Sequence, residues 1–493
     1  MKPVAAILFC DNNPPDQNLL KDLSTHPLIE KVILLQTAET EKTAGEFITL
    51  TQPFPRSGNA VGEALRTAQP CPFVLLMPFP QGVSLVTSGI ERYLQQAQQE
   101  GAGLYYADYY EDTGDAALVR SVIDYQAGSV RDDFYFGPLL FCSSRIITAA
   151  REQYGPLRET RWGGLYELRL RLSRAAAVVR ITEPLSRACK DYRKQCGQAH
   201  FDYVDPSRHA YQREMEEIAT EHLKSIGAYI APGWKPAAVD SAPYPVEASV
   251  VIPVRNREKT VSDAIASALS QKTSFSFNVI VVENHSTDRT REKIAARGAG
   301  DSRVVMIVPD RTDLGIGGCW NEAVSSPQCG RYVCQLDSDD LYADEHALST
   351  IVEMLREGSY GMVVGSYRVV NFSLQEIPPG LVEHREWSEE NGRNNLLRVH
   401  GIGAPRAFPS SMLRRFPFPN VSYGEDYAVA LRISREYRVG RIFNPLYLCR
   451  RWEGNSDANL SYEQENRYAL YKDSLRTQEI LERIRAASDE GTA

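Results

Sequence analysis

Three carboxylates crowd into four residues at Asp337-Ser338-Asp339-Asp340. The preceding stretch, Tyr332 to Leu336, is mostly apolar and follows Gly330, which predicts a buried strand running into the acidic cluster. Alternate residues of an extended backbone point the same way, so Asp337 and Asp339 are expected to converge while Ser338 faces away. Two carboxylates so placed repel each other unless a cation lies between them or one holds a proton. Hard oxygen donors favour magnesium or manganese, and magnesium is commonly held by one or two carboxylates together with substrate phosphates. The cluster reads as half of a metal site that a nucleoside diphosphate would complete. The competing reading is a solvated acidic turn capping a helix that begins near Asp344.

The elements that must position this cluster follow from hydrophobic pattern. Ala248 to Val254 reads as a buried strand, Arg255 to Glu258 as a loop, and Thr260 to Ser270 as a helix. Asn278 to Glu283 reads as a second strand ending in Asn284-His-Ser-Thr-Asp288. A polar helix to about Arg297 follows, then a strand from Arg303 to Val308. Strands alternating with helices of this length predict a largely parallel α/β sheet whose functional loops lie at the carboxyl ends of the strands. The loops after Glu283 and Leu336 both fall on that edge.

A chain of 493 residues exceeds one ordinary core. Its net charge of −8 argues against an extended nucleic-acid surface. Nine scattered cysteines show no metal-binding or redox spacing and are expected to be reduced core residues. Val4 to Cys10 is stopped at once by Asp11-Asn-Asn-Pro-Pro15 and reads as a first strand, not a signal peptide. No apolar run approaches the ~18 residues that a membrane span needs. The expected address is the cytoplasm, with contact at the inner face of a membrane compatible with it.

The first half repeats the second. Val4 to Cys10 parallels Ser249 to Val254, Lys31 to Leu35 parallels Asn278 to Val282, and Pro72 to Met77 parallels Arg331 to Leu336. Glu63-Ala64 echoes Glu322-Ala323, and Trp162 to Ser173 lies in ungapped register with Tyr423 to Ser434. A period this long indicates a duplicated domain, coincidence of apolar patterns being the alternative. The acids do not repeat. Pro78-Phe-Pro-Gln81 stands opposite Asp337-Ser-Asp-Asp340, and Gly164-Leu165 opposite Glu425-Asp426. Expected boundaries are a domain over 1–232 without metal or base carboxylates, a proline-rich linker over 233–247, a catalytic domain over 248–485 and a frayed tail over 486–493.

Residues 248 to about 456 resemble an inverting family 2 glycosyltransferase of the GT-A fold. The resemblance rests on Val-Val-Ile-Pro-Val-Arg-Asn256 with Glu258, Val-Val-Glu-Asn-His-Ser-Thr-Asp288, Gly317-Gly-Cys-Trp-Asn-Glu-Ala323, Leu336-Asp-Ser-Asp-Asp340, Gly424-Glu-Asp426 and Arg450-Arg-Trp452. Four positions depart from the family pattern: Glu283 where Asp is usual, Asn284-His285 where Asp-Gly is usual, and Arg255 where an aromatic is frequent. The fold implied is two tandem GT-A-like domains, each a mostly parallel twisted sheet flanked by helices.

The resemblance implies transfer of a sugar from a nucleoside diphosphate, UDP by expectation, to an acceptor hydroxyl in glycan or polysaccharide synthesis. Asp339 would bind Mn2+ or Mg2+, with Asp337 supporting the metal or contacting ribose. Pro253, Arg255, Glu258, Glu283 and Asn284 would line the nucleotide-sugar site, Glu283 accepting a hydrogen bond from a uracil imide. Asn321 would hold the nucleotide or cap its helix. Asp426 would be the catalytic base beside Glu425, while Arg451 and Trp452 would cover diphosphate and acceptor. Implied partners are the donor and a glycan or lipid-linked acceptor, with a second copy of the chain compatible. The rival classes are a non-catalytic nucleotide- or sugar-binding protein and a sugar nucleotidyltransferase, although Val250 to Lys259 lacks the latter's glycine-rich basic loop.

Overall fold

The computed structural model describes residues 2–40, 47–114, 116–195, 206–238, 241–385, 387–455 and 460–490. They form two compact units. One takes in the described residues up to 195 with Arg208–Tyr229 and the helix end from Ile480; the other is Ile230–Glu479. Two expectations need correction here. Part of the segment expected to be a linker is built into the second unit: the Lys235 N–H donates to Glu436 O at 2.8 Å and the Ala237 N–H to Ser359 O at 2.9 Å. The final helix, Tyr462–Glu490, also continues past 485 into the segment expected to fray.

In chain order the first unit contains β1 (Val4–Asp11), β2 (Ile29–Gln36), β3 (Ile48–Thr51), β4 (Phe73–Met77), β5 (Val83–Leu85), β6 (Leu104–Asp112), β7 (Ala117–Arg120), β8 (Leu140–Ser143) and β9 (Val178–Ala188). The second contains β10 (Ala248–Val254), β11 (Phe277–Glu283), β12 (Val304–Ile307), β13 (Tyr332–Gln335), β14 (Leu341–Tyr342), β15 (Met362–Asn371), β16 (Glu376–Val382), β17 (Arg406–Pro409) and β18 (Val439–Arg451). The first sheet runs β3-β2-β1-β4-β8-β6-β9-β5 with β7 paired to β6; the second runs β12-β11-β10-β13-β17-β15-β18-β14 with β16 paired to β15. Strand directions match as well. β10 is parallel to β11 and β13, while β13 and β15 are both antiparallel to β17. In the first sheet β1 is parallel to β2 and β4, while β4 and β6 are both antiparallel to β8.

The parallel half agrees with the sequence pattern. β10 and β11 are almost continuously apolar and almost wholly buried, as strands covered by helices on both faces must be. Val250, Ile252, Val279 and Val281 join Ala264, Ile265, Leu348 and Ile351 from the flanking helices in one core. Burying each large aliphatic side chain contributes roughly 1.5–3 kcal/mol, so the edge that carries the loops is anchored on a rigid base. The antiparallel half makes each sheet mixed. Among the described residues no helix is long and apolar enough to cross a membrane.

Candidate active site

Strand β13 ends at Gln335, and the next residues form a turn closed by the Asp340 N–H donating to Asp337 O at 3.1 Å. The acids therefore sit on a tight turn, where an extension of the strand was expected. Tyr447 of β18 fixes its entry, its hydroxyl accepting from the Asp337 N–H at 2.9 Å. Asp340 is buried and accepts from the Arg450 N–H at 2.7 Å. Burial, reinforced by repulsion from Asp339 and Asp337, pushes the Asp340 carboxyl well above the ordinary range. Burial also raises Asp337, against the opposing hydrogen bond from Gln335 and with a further rise from Asp339.

Asp339 is held from the other side. Its Oδ2 accepts from Trp452 Nε1 at 3.2 Å and Asn455 Nδ2 at 3.1 Å, and lies 3.6 Å from Arg257 Nε. Trp452 is also 5.4 Å from the Phe372 ring, centroid to centroid. Arg451 is half-buried at the end of β18. Asp337 and Asp339 offer hard oxygen donors whose mutual repulsion a divalent cation would relieve, so the donor set fits magnesium or manganese. Among the described residues no three His, Cys, Asp or Glu side chains form a ready-made cage, so such a cation would need oxygens from a ligand.

Asp426 lies in the first turn of the helix Glu425–Glu436, entered through Gly424 at φ 78°, a left-handed conformation that suits glycine. Its carboxylate pairs with Arg406 Nη2. Arg406 also donates from Nη1 to Gln335 Oε1 at 3.0 Å, and Gln335 Nε2 donates to both Asp337 oxygens at 3.0 and 3.1 Å. One polar chain therefore links the metal-type turn to the helix-borne acid. Burial would raise the Asp426 carboxyl, but Arg406 and then Lys472 outweigh it and hold it below the usual range. Lys472, on the final helix, donates to His400 O at 2.6 Å; burial brings its ammonium down to about 8. Glu425 is buried, and its Oε2 has no hydrogen-bond partner among the described residues. Burial, then the neighbouring Asp426 charge, pushes its carboxyl up to about 8.

Several residues expected at a nucleotide instead stitch loops. Glu283 is buried with both oxygens engaged, Oε1 accepting from the Ser286 N–H at 2.6 Å and Oε2 from Arg291 Nε at 3.1 Å. Its role here is closing the turn after β11, which corrects the expectation of a carboxylate open to a base. Asn321 neither caps its helix nor stands free. Its side chain donates to Phe418 O and accepts from the Phe418 N–H, clamping the helix Ile316–Ser325 to a distant loop. Glu258 accepts from the Arg289 N–H at 3.1 Å, ahead of the helix Thr290–Gly300. Buried Asn284 donates to Leu314 O at 2.9 Å. Pro253 is half-buried in β10, and Arg255 is exposed on the loop edge that follows it.

Gln335, Arg406, Lys472, Arg257 and Asn455 were missed. A glutamine inside an otherwise apolar strand, opposite Leu76 in the repeat, was the available signal for the first of them. Arg406 and Lys472 come from segments whose approach to the site depends on the antiparallel half of the sheet and the final helix.

Parallel strands deliver an acidic turn to the carboxyl edge, and the antiparallel half that follows ties it to a second acidic pair. Residues 249–421 match the model of glycosyl transferase family 2, and this part of the chain is a family 2 glycosyltransferase domain. The chain is 27% identical over 205 residues, 41% of its length and 76% of the relative's, to the Escherichia coli UDP-Glc:alpha-D-GlcNAc-diphosphoundecaprenol beta-1,3-glucosyltransferase WfgD. It is 24% identical over 237 residues to the poly(ribitol-phosphate) beta-glucosyltransferase of Bacillus spizizenii, covering 46% of this chain and 36% of that one. Among solved structures, S. aureus TarS 1–349 with UDP-GlcNAc aligns at TM-score 0.36 and 19% identity over 48% of this chain and 72% of that one.

Proposed function

We propose that the second unit transfers a sugar, with inversion, from a UDP-linked donor to an acceptor hydroxyl, and that the first unit is a degenerate copy of it. The observation that carries this reading is the continuous polar chain from Asp337 through Gln335 and Arg406 to Asp426, which ties a metal-type acidic turn to an ionised acid. Similarity to WfgD, which uses UDP-Glc and an alpha-D-GlcNAc-diphosphoundecaprenol acceptor, supports a UDP donor and a lipid-linked or polymeric acceptor.

Asp339, with Asp337, would hold the divalent cation, which supplies Lewis-acid stabilisation of the departing diphosphate when bound. Asp426 takes the proton of the acceptor hydroxyl as its oxygen bonds to the anomeric carbon and the bond to the diphosphate breaks; a positioned base of this kind typically contributes ~10²–10⁴-fold. Arg406 and Lys472 keep that acid ionised at neutral pH. Trp452 offers an aromatic face beside Asp339 on which a sugar can stack.

The test is incubation of the full chain with UDP-glucose, UDP-N-acetylglucosamine, UDP-galactose and GDP-mannose in Mn2+, with water alone and with an added lipid-diphosphate-linked N-acetylglucosamine as acceptor, reading nucleoside diphosphate release. Release of a nucleoside diphosphate from one donor is expected. Consumption of added pyrophosphate, with formation of the nucleoside triphosphate and the sugar 1-phosphate, would establish a nucleotidyltransferase, and tight binding without turnover a binding protein.

A further inference from the structure

We infer that Gln335 and Arg406 are positioning residues that couple the acidic turn to Asp426, a duty separable from their place in the sheet. This rests on the glycosyltransferase reading and deepens it. The two residues face each other across β13 and β17. Registered pairs run Tyr332 with Pro409, Val333 with Phe408 and Cys334 with Ala407, and the next step brings Gln335 to Arg406. There the Gln335 side chain accepts from the Arg406 N–H at 3.2 Å and from Nη1 at 3.0 Å. Arg406 Nε donates to Ile402 O at 2.6 Å, so the guanidinium is fixed on two sides before it meets Asp426.

The first sheet supplies an internal control. β4 and β8 pair in the same sense, Phe73 with Ser143, Val74 with Cys142, Leu75 with Phe141 and Leu76 with Leu140. Leu76 and Leu140 therefore occupy the places of Gln335 and Arg406. The repeat puts Pro78 where Asp337 stands and Leu165 where Asp426 stands. All four members of the polar chain are apolar in the other unit, although strand order and direction are unchanged. The sheet therefore folds with either set. A buried glutamine and a half-buried arginine kept only where the acids are kept serve the acids and not the sheet. Physically, the glutamine spans the gap between Asp337 and the guanidinium, so a shift at the turn is felt at Asp426 through two hydrogen-bonded links and the Arg406–Asp426 ion pair.

The decisive variant copies the first unit: Gln335→Leu with Arg406→Leu in the full chain. Four titratable groups face or flank Asp426: Arg406 from β17, Lys472 from the final helix, Glu425 beside it and Asp337 from the turn. The melting temperature should stay within about 5 °C of wild type, and UDP with Mn2+ should bind within about threefold by calorimetry. UDP release from the donor that wild type uses should fall about 10²-fold, the scale of losing a preorganised polar contact. The acid limb of the kcat/KM profile should move to higher pH, because Asp426 loses its first cation. Arg406→Lys should return that limb toward wild type. Wild-type turnover with an unmoved acid limb in the double variant would overturn the inference. So would loss of activity that only tracks loss of folded protein with an unchanged pH profile. If wild type itself releases no nucleoside diphosphate from any donor of the panel, the glycosyltransferase reading fails and the coupling fails with it.

Discussion

The two nine-stranded sheets share strand order and direction, yet their carboxyl edges are finished differently. In the second unit that edge carries Asp337, Asp339 and Asp426 with cations around them. In the first unit Arg56 occupies the edge: its Nε and Nη2 donate to Asp11 at 2.9 and 2.8 Å, its Nη2 reaches Pro78 O at 2.7 Å, and its guanidinium lies 4.4 Å from the Phe79 ring. An internal salt bridge and an aromatic ring thus stand where the second unit has its acidic turn. The helix start has changed too. A Cβ at Gly164, the counterpart of Glu425, would fall 2.6 Å from Ser57 O. The first unit could not regain the acidic pair by substitution there without moving backbone. What both units retain is close packing of glycine: a Cβ at Gly58 would fall 2.0 Å from Arg158 O, and one at Gly317 2.0 Å from Pro419 O. Strand order and direction are common to both units, while the acidic turn and the acidic pair at the helix start are confined to one.

The largest expected effect is on Asp426. Asp426→Asn should lower transfer by ~10²–10⁴-fold with donor binding preserved, measured by diphosphate release and calorimetry. Asp339→Ala should remove the manganese dependence and about 10²–10³-fold of turnover, measured across a metal titration. Gly58→Ala and Gly317→Ala should destabilise their own units by a similar amount, on the order of 1–3 kcal/mol each, read by denaturant unfolding. Unequal costs would break the equivalence of the two backbones. Arg56→Leu should cost at most about 1 kcal/mol, since Asp11 is 44% exposed and the pair is screened, and should leave turnover unchanged.

One prediction concerns pH. Burial lifts the Glu425 carboxyl to about 8, so the folded state keeps a proton that the unfolded chain releases above its ordinary 4.5. Stability from this group is therefore present in acid and falls as pH rises from 4.5 toward 8. Glu425→Gln should flatten that part of the stability-versus-pH curve. Gly164, at the same helix position in the first unit, contributes no such slope.

The parallel strands, the acidic turn and the helix-borne acid pair were legible because each is written in a contiguous run: continuous apolar residues, then clustered carboxylates. The antiparallel half was not, because short strands such as β17 are defined by partners far along the chain. That half also brings Arg406 to the site, so its cation was hidden for the same reason. Glu283 and Asn321 misled for a different cause. Their types and offsets suit a ligand, but whether a side chain turns outward or closes its own loop depends on neighbours such as Arg291 and Phe418, which spacing does not reveal.

Diphosphate release measured side by side for wild type and Asp426→Asn, with UDP and Mn2+ binding on the same samples, tests the central assignment most directly. A loss of at least about 10²-fold in release with binding within a few fold is the predicted result. Turnover at the wild-type rate in the variant would contradict it.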